Sequence, residues 1–235
     1  MDTNHNLFVG NQGGTITAYH RGLTTPYLTL EQAHCCASGL AFGPNGSLYA
    51  TEYPKNVIDI FGPAGSPMRH STFKVSSLHE VIFMTNDTAG NLYVDGFAPK
   101  PSSIDTIDEI DAQTHAVTVL QSLPQGNPGG LALDAAANLI YADQNGTLYT
   151  YAPPYTGPPT SSFFYEYGIG SSGGTFSSIA LDQSQTTLWA AAYGTIIDQA
   201  GCWGQSNTYP LGESGLATDG LYANQCYGIA LDSAL

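Results

Sequence analysis

The chain has 235 residues and a formal charge of −14, from 5 Lys+Arg against 19 Asp+Glu, and 42% of it is hydrophobic. That length can bury a substantial core, and the apolar content excludes a solvated acidic tail. The charge opposes any phosphate backbone and so argues against a nucleic-acid partner. No apolar run approaches the roughly 18 residues that a spanning helix needs, so no membrane span is expected.

In chain order, residues 6–10 (NLFVG) form one half of a module whose full form first appears at 39–51 (GLAFGPNGSLYAT). The pattern is an apolar run, a turn and a second apolar run. It returns at 81–95 (VIFMTNDTAGNLYVD), 130–143 (GLALDAAANLIYAD) and 178–190 (SIALDQSQTTLWA), and its first half alone closes the chain at 228–232 (GIALD). Further strands with partial alternation follow at 15–20, 56–61, 103–111 and 146–151, the last opened by the hairpin pair Asn145-Gly146. Pro- and Gly-rich stretches lead from these to short outer strands, and no stretch holds helical spacing.

Anchored on Leu7, Leu48, Leu92, Leu139 and Leu188, the modules are 41, 44, 47 and 49 residues apart, and closing the circle takes 54. This is the period of a four-stranded blade. The reading is therefore all-β: a single five-bladed β-propeller of four-stranded antiparallel blades over 1–235. The N- and C-terminal strands share one blade, which pairs the edges an open ring would expose. The blades are expected at about 228–235 plus 1–30, 38–77, 80–121, 129–167 and 177–222. Small residues recur in the first strands (Ala41, Ala132, Ala180, Ala230), with Ile82 breaking the rule.

These motifs, with the 56–61 segment NVIDIF, resemble NHL-type repeats and the SMP-30/gluconolactonase and strictosidine-synthase-like propellers. The resemblance implies a propeller fold, and a hydrolase, lyase or isomerase using a divalent cation (Ca²⁺, Mg²⁺ or Zn²⁺) held by oxygen ligands near the innermost strands. At the matching positions Glu80 is the one carboxylate and His79 the one imidazole, with Asn127 one register back. The family's ligand set as a whole does not carry over.

The loops before first strands and after second strands ring one end of a propeller's axial channel, the default ligand site. His79 and Glu80 are the candidate acid–base pair, although neighbours on a strand point to opposite faces unless the strand starts late. Glu52, Asp95 and Asp143 occupy equivalent positions soon after second strands on neighbouring modules, either for acid–base or cation work or as acceptors for turn amides. Tyr53, Phe97, Tyr193, Trp203 and Tyr227 offer aromatic faces for a sugar or other small molecule. Of the four cysteines, Cys35 and Cys36 are either free thiols, one of them paired with Cys202 or Cys226, or a strained vicinal bridge. A thiolate beside His34 is the catalytic variant. The sequons at Asn45, Asn86 and Asn145 read as turn residues. The leading expectation is a monomeric binding propeller outside the cytoplasm, with no signal peptide visible; the SMP-30/NHL-like enzyme is the alternative.

Overall fold

In the computed structural model the described residues are 6–11, 13–20, 23–32, 36–63, 69–100, 104–123, 127–144, 147–164, 175–181, 187–193, 202–208, 214–215 and 220–221. They form antiparallel sheets in which consecutive strands are neighbours. The first sheet holds β1 (Leu7–Asn11), β2 (Thr15–Tyr19) and β3 (Leu28–Glu31). The second holds β4 (Leu40–Phe42), β5 (Ser47–Thr51), β6 (Val57–Pro63) and β7 (Arg69–Lys74). The third holds β8 (Glu80–Asn86), β9 (Leu92–Phe97), β10 (Asp105–Ile110) and β11 (Val117–Leu123). These three belong to one compact unit, Met1–Gln125.

The second unit, Gly126–Leu235, carries two sheets. One is β12 (Pro128–Leu133), β13 (Leu139–Asp143), β14 (Thr147–Tyr151) and β15 (Ser161–Phe164). The other is β16 (Thr175–Leu181), β17 (Thr187–Tyr193) and β18 (Cys202–Thr208), with β19 (Ser214–Gly215) and β20 (Gly220–Leu221) both paired to β18. The all-β expectation holds; the expectation of five blades is corrected to four. Four sheets have four or more strands, whereas the first has three among the described residues. The segment expected to complete it, 228–235, lies outside them.

Three hairpins show why the repeat folds as it does. The loops 43–47, 87–91 and 134–138 each close with the fourth amide donating to the first carbonyl (Gly46 to Gly43, Gly90 to Asp87, Ala137 to Asp134). The fourth residue has positive φ in all three: Gly46 78°, Gly90 93° and Ala137 58°. Asp87 and Asp134 each accept the amide of the Asn four residues on, at 2.9 and 2.7 Å. In the first loop, which opens on Gly43, Asn45 Oδ1 serves the Ser47 amide instead at 3.0 Å.

Within the first unit the sheets bury apolar faces against each other. Phe8, Ile16, Ala18 and Leu30 pack with Leu48, Ala50 and Phe61, and the rings of Phe8 and Phe42 meet edge-on at 5.0 Å. On the other side of the second sheet, Ala41 and Ile58 pack with Val81, Met84, Val94 and Ile110. In the second unit Ala132, Ile140, Ala142 and Leu148 pack with Ile179 and Leu188. Between packed sheets the backbones approach closely. A Cβ on Gly10 would stand 2.2 Å from the Ala37 carbonyl oxygen, and one on Gly39 2.9 Å from that of Ile82.

Candidate functional site

In the first unit, second strands end and first strands begin at one rim, and backbone hydrogen bonds stitch it together. Tyr53 N donates to Cys36 O at 3.1 Å, Val81 N to Lys55 O at 3.0 Å, and His79 N to Phe97 O at 2.6 Å. The rim therefore brings the 52–56 turn, the start of β8 and the end of β9 into one neighbourhood. β8 begins at Glu80, so His79 precedes the strand and escapes its alternation. The two side chains meet, with Nδ1 of His79 3.5 Å from Oε1 of Glu80, the imidazole 60% and the carboxylate 21% exposed. Tyr53 is 38% exposed and Phe97 is half-buried.

The three carboxylates read as equivalent are not. Counted from the hairpin pairs Phe42↔Leu48, Asn86↔Leu92 and Leu133↔Leu139, Glu52 and Asp143 share a position, while Asp95 stands one residue earlier, level with Thr51. Alternation turns that single step into the opposite face. The same count makes Thr85 the counterpart of Ala41 and Ala132. Ile82 lies instead in the register slip between Val81 and Met84, which removes the anomaly in the small-residue rule.

Thr51 Oγ1 accepts the Gly39 amide at 2.8 Å, and Asp95 Oδ1 accepts the equivalent amide, Phe83 N, at 2.9 Å. Asp143 accepts Thr147 N at 3.0 Å. Glu52, buried at 3% exposure, donates its amide to Val57 O and accepts Lys55 N on its carbonyl. Asp95 and Asp143 thus serve backbone amides. Burial raises the Asp95 carboxyl well above the usual carboxylate range, and the charge of Asp105 raises it further. Asp105 faces Phe97 across the ladder, diagonal to Asp95 on the same face.

A second set of buried carboxylates lies outside the residues that the sequence pattern singles out. Asp59 on β6 and Asp108 on β10 are both fully buried and occupy equivalent positions, opposite Ala50 and Val94. Each receives a hydrogen bond from the segment crossing from the preceding sheet: Gln32 Nε2 to Asp59 Oδ2 at 3.3 Å, and Ser77 Oγ to Asp108 Oδ2. Burial raises the Asp108 carboxyl, with the Ser77 and Thr106 hydroxyls opposing the shift. The signal was available, since both residues fall inside apolar third-strand runs where a carboxylate is costly.

Asn127 lies in the second unit, is exposed, and accepts Gln144 N on its carbonyl at 2.9 Å. Tyr193 faces Thr175 and Cys202 across the ladder, and Trp203 faces Ala192 and Gly220; their side chains, and all of Tyr227, lie outside the described residues. Among the described residues no three His, Cys, Asp or Glu side chains group so as to hold a metal ion. No helix there is long and apolar enough to cross a membrane. Cys36 is disulfide-bonded, which corrects the free-thiol reading and removes Cys36 as a thiolate nucleophile, because an oxidised sulfur has no thiolate to offer. Asn86 Nδ2 donates to Asp87 O at 3.1 Å.

No family model matches the chain, and no curated protein matches it. Solved structures do. The β-propeller domain of Myceliophteria thermophila Cps50 (Swd1) is 11% identical with a TM-score of 0.60, covering 92% of this chain and 83% of that one. U3-55K is 14% identical with a TM-score of 0.59, covering 85% of this chain, which spans 59% of that protein's length. At such identities the likeness is one of fold alone, and the fold is a β-propeller of antiparallel sheets.

Proposed function

We propose that this propeller is an interaction module that engages its ligand at the rim formed by the 52–56 turn, the start of β8 and the end of β9. The observation that carries the reading is the exposure of Tyr53 and His79 on backbone segments hydrogen-bonded into one platform. The Asp95 carboxylate of the same unit is meanwhile engaged by a backbone amide. An exposed aromatic ring on the same platform as an imidazole–carboxylate contact suits a polar ligand with an apolar face, such as a glycan. The test is a glycan array probed with labelled protein: Tyr53→Ala and His79→Ala are expected to abolish the signal that the wild type gives. A signal indifferent to both would sink the rim as the site.

The His79–Glu80 contact supports a second reading, an SMP-30/NHL-like hydrolase or isomerase with His79 as base and Glu80 orienting it or holding a divalent cation. Turnover of a lactone or glycoside lost in both His79→Ala and Glu80→Gln, with stoichiometric metal by elemental analysis, would establish it. The Cys36 disulfide supports residence in an oxidising compartment. Equal thiol counts on the denatured protein with and without reductant would contradict that.

A further inference from the structure

The charge of the rim runs against that of the chain. Of the five Lys and Arg in the sequence, three are exposed at this end of the first unit: Lys55, Lys74 and Lys100. Lys55 sits in the turn whose carbonyl receives the β8 amide. Lys74 ends β7 opposite Val57, two residues from Lys55. Lys100 lies in the turn that follows β9, a turn drawn together by Ala98 N donating to Ile104 O at 2.8 Å. None of the three ammonium groups has an ion-pair partner among the described residues.

Among the described residues, the acids at the same end are largely out of play. Asp95 and Asp105 are fully buried and Glu52 nearly so. Glu80 is mostly buried and turned to His79. Glu31, at the end of β3, is the exposed exception. Arg69 stands at the opposite end of β7, across from Phe61. A chain of net charge −14 thus has three exposed lysines at the end of the first unit that carries Tyr53 and His79.

Building on the rim as the binding site, we infer that its ligand is an anionic glycan, a polysaccharide segment bearing uronic-acid carboxylates. Lysine ammonium groups are compact point charges that accept a carboxylate from many directions, and the Tyr53 face can take the apolar side of a sugar ring. The acidic bulk of the protein repels a nucleic-acid duplex, with one charge per about 1.7 Å of axis, more strongly than a glycan with at most one carboxylate per ring.

The experiment is calorimetric titration of the full chain with oligogalacturonate, with its methyl ester and with single-stranded oligothymidylate. Wild type is expected to bind the acid at least about tenfold more tightly than the ester, with affinity falling as salt rises. A Lys55→Gln/Lys74→Gln/Lys100→Gln variant with an unchanged melting temperature is expected to lose that preference. Equal affinity for acid and ester would overturn the anionic class; if Tyr53→Ala then abolishes both, the rim itself stands. Equal or tighter binding of oligothymidylate would overturn the glycan in favour of a nucleic acid. Failure to bind the acid at all overturns the inference, and the array result with Tyr53→Ala then decides separately whether the rim falls with it.

Discussion

The second and third sheets meet the same local demand with different chemistry. At the end of the second strand a side chain must accept an amide at the start of the first. The second sheet uses a hydroxyl, Thr51, and the third a carboxylate, Asp95. The neutral solution also gives: Thr51 Oγ1 donates onward to Ile82 O at 3.1 Å, fastening the second sheet to the third. The ionisable solution brings burial of a charge beside Asp105, which the protein meets by favouring the protonated acid. A position defined by backbone geometry leaves the choice of acceptor open, and that choice decides whether the acceptor itself can take up a proton.

The comparison can be broken at its glycines, where the largest effect is expected. A Cβ on Gly96 would stand 1.9 Å from the Glu80 carbonyl oxygen, within the third sheet, against 2.9 Å for Gly39 and Ile82 between sheets. Gly96→Ala should therefore cost about 3 kcal/mol or more and Gly39→Ala less, by urea denaturation. Equal costs would mean the third sheet yields as readily as the packing between sheets.

Next come the two acceptors. Thr51→Val removes the Gly39 acceptor and the Ile82 donor together and is expected to destabilise by about 2 kcal/mol. Asp95→Asn keeps an oxygen for Phe83 N and removes the repulsion from Asp105, so its stability at pH 7.5 should equal or exceed wild type. A loss as large as that of Thr51→Val would show the carboxylate to be charged and satisfied.

The same contrast sets the pH dependence. Asp95 and Asp108 have folded pKa values raised above their unfolded ones. Their contribution to stability is complete below the unfolded value, about 4, and is lost as pH rises through the folded values. Asp111 runs the other way: the Thr114 amide and hydroxyl and the Gln113 amide lower its carboxyl, so its contribution fades as pH falls. Because Asp111 is exposed and the other two are buried, the melting temperature is expected to rise from pH 7.5 towards 5. An Asp95→Asn/Asp108→Asn variant should flatten that slope. An undiminished slope would assign it to relief of the overall negative charge instead.

The smallest effect belongs to the hairpins. Ala137 holds the left-handed conformation that Gly46 and Gly90 hold in the equivalent loops, at a cost that glycine avoids. Ala137→Gly should stabilise by about 0.5–1 kcal/mol, and Gly90→Ala should do the reverse, since its Cβ would also meet Pro44 Cδ at 2.8 Å. A melting temperature unmoved by Ala137→Gly would mean that loop already relaxes its strain.

Much of the fold was legible because its signals are local. The apolar runs, the five-residue loops and the Asp-to-Asn spacing of 87–91 and 134–138 each specify a hairpin without reference to the rest of the chain. The offset between Glu52 and Asp95 was legible too, by counting from Leu48 and Leu92 rather than by their common distance from a strand end. The number of complete blades was not, because a three-stranded sheet and a four-stranded one begin with the same repeat and differ only in what pairs with the last edge.

By itself the sequence determined an all-β repeat of antiparallel sheets, the places of its turns, and a rim where strand ends could gather polar side chains. The tertiary structure decided which of those side chains are available. The late start of β8 lets His79 turn to Glu80, the packing of sheets buries Asp59, Asp95 and Asp108, and two turns and the end of β7 leave Lys55, Lys100 and Lys74 in solvent. Hydrophobic period and turn chemistry act over a few residues and can be read along the chain. Exposure and the meeting of charges depend on what the other sheets cover, and that is settled only when they pack.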